Sequence, residues 1–354
     1  MNSFQQLYLI IAAFAIVLTS CSNGPIAGKA SGNNPVATPA AEGNSAAKII
    51  RLDPAFDKLV PANAKVEKLL DGHKWVEGPV WNRRESYLLF SDIPNNSIIK
   101  WSEGKGESLF MRPSGYTGKE PFTGPEPGTN GLTYDSKGRL VACEHGDRRV
   151  SRLESDGKTK TTLADKYNGK RLNSPNDLVY KSNGDLYFTD PIYGLQKGAD
   201  DPARELDFCG VYRLSSDGKL TLLTKEITRP NGIAFSPDEK KLYVSSSDPD
   251  KAIWMVYDVQ PDGTITNGKV FFDATAWVKE NRPGLPDGMK VDKAGNIFAA
   301  GPGGIHVFSP EGKRLGTFDT GVKTANLAWG GDGSTLYITA NTALLRVKLN
   351  TGGF

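Results

Sequence analysis

At 354 residues the chain has room for two average domains or one large all-β domain. A composition of 38% hydrophobic and 23% charged residues is globular and excludes a disordered chain. A net charge of +3 is too small to mark a nucleic-acid or acidic-membrane binder, and no stretch interleaves aromatic with basic residues as an RNA-binding face does. The 39 glycines exceed the usual share of about 7% and lean towards a turn-rich β fold.

The chain opens on a targeting segment. Leu7 to Leu18 is an unbroken apolar run, too short to span a bilayer and suited to the core of a signal peptide. Leu18-Thr19-Ser20-Cys21 then puts small residues directly before a cysteine, so residues 1–20 read as a lipoprotein-type signal with Cys21 lipidated. Residues 2–6 carry no Lys or Arg, which departs from that pattern, and an ordinary cleaved signal is the alternative. The expectation is an exported protein of the bacterial periplasm or cell envelope, touching the membrane only through its N-terminal lipid. Residues 22–47 are rich in Gly, Ala, Ser, Asn and Pro and have no aromatic, so they read as a disordered linker.

From there to the C-terminus one motif recurs at intervals of roughly 40–56 residues, the range of stacked supersecondary units. It opens on a side-chain oxygen and runs into a short β-rich stretch: Glu77-Gly-Pro-Val-Trp, Asn130-Gly-Leu-Thr-Tyr, Asn176-Asp-Leu-Val-Tyr, Asn231-Gly-Ile-Ala-Phe, Asp287-Gly-Met-Lys-Val and Asn326-Leu-Ala-Trp. Each opening leads to a second run such as Asp185-Leu-Tyr-Phe-Thr, a third such as Val211-Tyr-Arg-Leu, and often an Asp-Gly or Glu-Gly turn into a fourth. Six units of four antiparallel strands predict an all-β, six-bladed β-propeller over residues 48–354. The last unit stops after three strands, and Val66-Glu-Lys-Leu-Leu, ahead of the first unit, is the natural donor of the missing one. Pro54 to Val60 and Ala274 to Glu280 are the two short helix candidates. Cys143 and Cys209 fall in different units and read as two free, buried thiols.

In a propeller the first strand of each blade lines the central channel, so Glu77, Asn130, Asn176, Asn231 and Asp287 converge although they are far apart in sequence. Two carboxylates and several amide oxygens are hard donors suited to calcium, magnesium or manganese, and the three scattered histidines have no zinc-site spacing. Any single Asn-Gly or Asp-Gly is more often a turn than a ligand. Recurrence at one phase of the repeat, with Glu77 at the same phase, is what favours ligands. Asn326 lacks the following glycine and reads as structural. His145 is a candidate to reach the pocket and bind substrate, His73 and His306 read as structural, and Asp147, Arg148 and Arg149 read as a solvated corner. Tyr193 either roofs the pocket or packs in a hydrophobic corner.

Together Glu77-Gly-Pro-Val-Trp, Phe90-Ser-Asp-Ile-Pro, Glu144-His-Gly-Asp-Arg, Asn173-Ser-Pro-Asn-Asp, Phe188-Thr-Asp-Pro-Ile-Tyr-Gly, Arg229-Pro-Asn-Gly and Leu285-Pro-Asp-Gly-Met resemble the gluconolactonase branch of the gluconolactonase/regucalcin/luciferin-regenerating-enzyme family, from about Val66 to the C-terminus. The resemblance implies hydrolysis of a sugar lactone of the aldonolactone type by a propeller with a central divalent cation. That cation is usually calcium, with magnesium, manganese or zinc as alternatives. The resemblance maps metal ligands onto Glu77, Asn231 and Asp287, with Asn176 binding metal or substrate; Asn130, converging with them, is a candidate substrate-binding group. The resemblance also makes Asp287 the general base, although a carboxylate on a dication is a weak base and activation of water by the metal is an equal reading. The regucalcin branch has an Arg two positions before that Asn; here Ser174 stands there, which bears on substrate identity. Two other functions fit the same scaffold: organophosphate ester hydrolysis, and non-catalytic binding of a sugar or peptide.

Overall fold

The computed structural model describes residues 47–353, so residues 1–20, Cys21 and all of the linker but Ala47 lie outside the described residues. Six antiparallel sheets of four or five strands follow one another, beside a two-stranded ribbon of Lys166–Tyr167 and Lys170–Arg171. The first is Val76–Asn82, Tyr87–Asp92, Ser97–Ser102 and Gly106–Met111, and the second runs from Thr129–Tyr134 through Lys160–Ala164. The third runs from Leu178–Tyr180 through Leu220–Thr224, and the fourth from Pro230–Phe235 through Ile265–Asp273. The fifth begins at Met289–Val291 and the sixth at Thr324–Gly330. The first strands of successive sheets touch, and that of the sixth touches that of the first. The result is a closed six-bladed β-propeller.

Closure has a chemical basis in the outermost strand of the last blade. Its own three strands end at Ala343–Lys348, and Glu67–Leu70 pairs antiparallel with that strand, so chain segments from opposite ends share one sheet. Arg346 Nε donates to Glu67 Oε2 at 2.6 Å across this seam. An open edge there would expose a row of unpaired backbone groups.

Blade five carries an addition that the periodicity does not announce. Lys48–Arg51 pairs with Arg314–Asp319 as a fifth, outermost strand, with Ile49 opposite Phe318. Four residues, Lys-Ile-Ile-Arg, are too few to show alternation. Helices form at Pro54–Leu59 and Thr275–Lys279. Asp53 Oδ1 caps the first by accepting from Ala55 N–H at 2.8 Å, and its Phe56 is buried against Phe318.

The core is divided among the blade interfaces. Among the described residues six apolar clusters form, and each joins two adjacent blades: Leu89 and Ile98 meet Leu132 and Ala142, for example, and Val76 and Phe90 meet Ala328 and Leu344. Burying each large side chain of this kind stabilises by about 1.5–3 kcal/mol. Since every cluster needs both neighbours, the ring coheres as a whole. Cys143 and Cys209 are free and buried. Burial pushes the Cys209 thiol up to about 12 and holds that of Cys143 well above the ordinary thiol range.

Candidate active site

The residues at the start of each innermost strand are placed by a repeated backbone device. Gly131 N–H donates to the Asn176 carbonyl at 2.7 Å, and Gly288 N–H donates to the Ala325 carbonyl at 2.8 Å. A hydroxyl on the second strand of one blade then donates to the same carbonyl of the next. Ser91 Oγ reaches Asn130 O at 2.8 Å, Thr189 Oγ1 reaches Asn231 O at 2.7 Å and Ser245 Oγ reaches Asp287 O at 2.9 Å. With their main chains held this way, Asn130, Asn176, Asn231 and Asp287 turn their side chains to one cavity, which Glu77 also lines. Glycine follows because the backbones nearly touch: a Cβ on Gly232 would lie 2.2 Å from the Asp287 carbonyl oxygen.

This pattern corrects the sixth repeat. Ala325, not Asn326, occupies the position that Asn130, Asn176 and Asp287 hold in their blades. Asn326 sits one residue deeper, level with the glycines, and its Nδ2 donates to Glu77 Oε2 at 3.1 Å. It is outside the cavity, but it positions a side chain that is inside. Asp177 stands in the same deeper layer, where other blades have glycine. One of its oxygens accepts from Leu178 N–H, and the other is buried without a partner.

Glu77, Asn130, Asn176, Asn231 and Asp287 converge on a cavity of about 250 Å³ at one end of the axis. Trp75, Tyr193, Leu285 and the exposed Lys323 complete much of its wall. Glu77, Asn130, Asn176 and Asn231 are buried, and Asp287 is partly open to the cavity. The Oδ1 atoms of Asn130, Asn176 and Asn231 have no protein partner. Asn231 Nδ2 donates to Ser247 Oγ at 2.9 Å, which turns its oxygen away as the free end. Three orphaned acceptors together cost about 1–3 kcal/mol each unless something supplies the missing partner.

The carboxylates point the same way. Burial pushes Glu77 up to about 7, with the charge of Asp177 adding to it. Burial and then the neighbouring Glu77 hold Asp287 well above the usual carboxylate range. Two neighbouring carboxyls with raised pKa values favour retaining a proton unless a cation offsets their charge. Three neutral oxygens and two carboxylates therefore fit a hard divalent cation, calcium best, because it tolerates amide oxygens. Among the described residues no cluster of three His, Cys, Asp or Glu side chains forms a metal site, so any such site depends on the amides.

The other sequence candidates divide. Tyr193 lines the cavity, with its hydroxyl 3.4 Å from Ser247 O. His145 does not line it: it is wholly buried one layer back, with Nδ1 2.9 Å from Glu126 Oε2. Nor is the Asp147–Arg149 corner solvated throughout. Arg148 is buried, with Nε donating to the carbonyls of Leu172 and Asn173 at 2.9 Å each and Nη1 to that of Ala203 at 2.7 Å. Asp190, pushed up to about 7 by burial, receives the N–H groups of Asn173 and Ser174 at 2.8 Å each. Arg148 and Asp190 thus hold the turn that delivers Asn176. Ser174 faces inward as well: its Oγ donates to Pro191 O at 2.6 Å and accepts from Gly194 N–H at 2.9 Å. His73 bridges Asp92 and Glu107, and His306 contacts Thr317 and Pro302, so both are structural. Sequence reasoning missed Glu126, whose signal, one Glu in a Pro- and Gly-rich loop, is lost among ordinary surface acids.

Residues 75–342 match the model of the SMP-30/Gluconolactonase/LRE-like region. A gluconolactonase of Zymomonas mobilis is 38% identical, covering 88% of this chain and 88% of its own length. A pentonolactonase of Haloferax volcanii is 28% identical over 74% of this chain and 80% of its own. A solved structure of a gluconolactonase from Xanthomonas campestris superposes with a TM-score of 0.76 at 30% identity, covering 88% of this chain and 98% of that one. A family match across residues 75–342, a shared fold and identity sustained across nearly the whole described chain lead to one conclusion: the chain belongs to the SMP-30/gluconolactonase/LRE-like family.

Proposed function

We propose that the protein hydrolyses a sugar lactone to its open-chain acid with the help of a divalent cation. The observation that carries this reading is the group of three orphaned amide oxygens that line one cavity with the Glu77 and Asp287 carboxyls. Relatives named for gluconolactone and pentonolactone hydrolysis support a polyhydroxylated lactone as the substrate class. Glu77, Asn176, Asn231 and Asp287 would hold the cation, and Asn130 offers a fifth oxygen to cation or substrate. When bound, the cation would supply Lewis-acid polarisation of the lactone carbonyl.

The chain's own groups account for the remaining work. Trp75 and Tyr193 present apolar faces that pack against the sugar ring and keep bulk water from its flanks. Asp287 accepts a proton from the attacking water at its carboxylate as the water oxygen bonds to the carbonyl carbon. The ring C–O bond then breaks, and the same proton passes to the departing ring oxygen, which becomes the new hydroxyl. Asn326 keeps Glu77 from rotating out of the site by its bond to Oε2.

The test is a lactone panel assayed with a chelator and then restored with calcium, magnesium, manganese or zinc. Activity indifferent to chelation would refute the cation's part. We further propose that the protein is a lipoprotein of the cell envelope, on the strength of Leu7–Leu18 and Cys21. Palmitate labelling that survives Cys21→Ser would contradict that.

A further inference from the structure

Glu126 lies on the segment joining the first and second blades, between Met111 and Thr129. That segment rests on a second long loop, Pro191–Cys209 of the third blade: Thr123 N–H donates to Gln196 Oε1 at 3.0 Å, and a Cβ on Gly124 would fall 2.8 Å from Gln196 Cα. Behind their junction sits His145, fully buried. One side of it meets Glu126, with Nδ1 2.9 Å from Oε2, although neither ring nitrogen has a hydrogen-bond partner. The other packs against Gly194, where a Cβ would come within 2.4 Å of the His145 Cβ. Glu126 itself keeps a quarter of its side-chain surface exposed and lines the cavity. The carboxylate is thus backed by the buried His145 ring and open at the front.

We infer that Glu126 is a specificity-determining residue that accepts hydrogen bonds from hydroxyl groups of the lactone, with His145 as its positioning residue. The inference rests on the lactonase reading of the site and adds to it. A carboxylate can only accept, and a polyol offers mainly donors. Bonds to a charged acceptor are about twice as strong as neutral ones. The carbonyl end of the substrate belongs at the five converging oxygens, so a wall carboxylate is available to read the rest of the ring. A pocket that hydrogen-bonds a hydroxyl rejects the analogue lacking it, because its own polar group is then left unpaired.

The experiment compares a polyhydroxylated aldonolactone with an unsubstituted six-membered lactone, in wild type and Glu126→Ala. The expected result is a rise in KM of about tenfold or more for the sugar lactone, with kcat within about twofold. For the unsubstituted lactone, KM stays within about twofold. His145→Phe, which keeps an aromatic ring but removes Nδ1, shows part of the same selective rise. Should that buried substitution prevent folding, Glu126→Ala, on a partly exposed loop side chain, decides alone. Equal effects on both lactones, or none on either, overturn the inference while leaving the lactonase reading intact. Wild-type protein that hydrolyses neither lactone overturns both.

Discussion

Stripped of cation, the site should make the protein's stability fall with rising pH, and Glu77 sets the size of the effect. Its carboxyl stands at about 7 in the folded chain against 4.5 for a free glutamate. A buried carboxyl with a raised pKa is protonated in the native state while already ionised in the unfolded one. The stability it contributes is complete below about pH 4.5 and lost as pH climbs to about 7. At about 1.4 kcal/mol per pH unit this amounts to about 3 kcal/mol, or roughly 5–10 °C in melting temperature for a domain of this size. Asp287, raised by burial and by Glu77, adds in the same direction. Melting curves at pH 5 and pH 8 in excess chelator should show the drop. Saturating calcium should reduce it, because a dication favours both ionised carboxylates. Asp190, also raised by burial, contributes to the drop in every sample, so the decisive comparison is with Glu77→Gln. If that variant loses as much stability between the two pH values as wild type does, the account of the paired carboxyls is wrong.

Asp287→Asn should lower kcat for lactone hydrolysis by about 100-fold or more while leaving the melting temperature of the calcium-loaded protein within a few degrees; ordinary turnover would remove Asp287 from the chemistry. Asn326→Ala deletes the 3.1 Å bond to Glu77 and should weaken calcium binding by about 10–100-fold in a calorimetric titration. Unchanged affinity would make Asn326 a mere packing residue. Gly232→Ala drives a Cβ to 2.2 Å from a backbone oxygen that cannot swing away, so loss of folding or of more than about 3 kcal/mol in chemical denaturation is expected. A near-native melt would show that the inner strands are less closely packed than described.

How much of this was legible in the sequence follows from what repeats. Six copies of one supersecondary unit leave a periodic signal, and the phase of that signal picked out Glu77, Asn130, Asn176, Asn231 and Asp287 from many similar turns. Only side chains at a common depth around an axis can recur that way. The same reasoning misplaced Asn326 by one residue, because Asn-Leu-Ala-Trp looks like its counterparts while backbone pairing puts Ala325 at their level. His145 was drawn towards the pocket by its neighbourhood in sequence, yet a loop from another blade covers it. Arg148 looked like a surface charge until three carbonyls from two later segments were found around it.

The chain's sequence alone therefore determines the all-β class, the blade count and the ring of oxygen donors, since each is written locally and six times over. Tertiary structure alone decides what happens once: the fifth strand on blade five, the meeting of Glu77 and Asp287 at one cavity, the depth of Asp177 and the arrival of Glu126 at the cavity wall. Those depend on segments tens to hundreds of residues apart meeting at a few ångströms, and no local pattern encodes such a meeting.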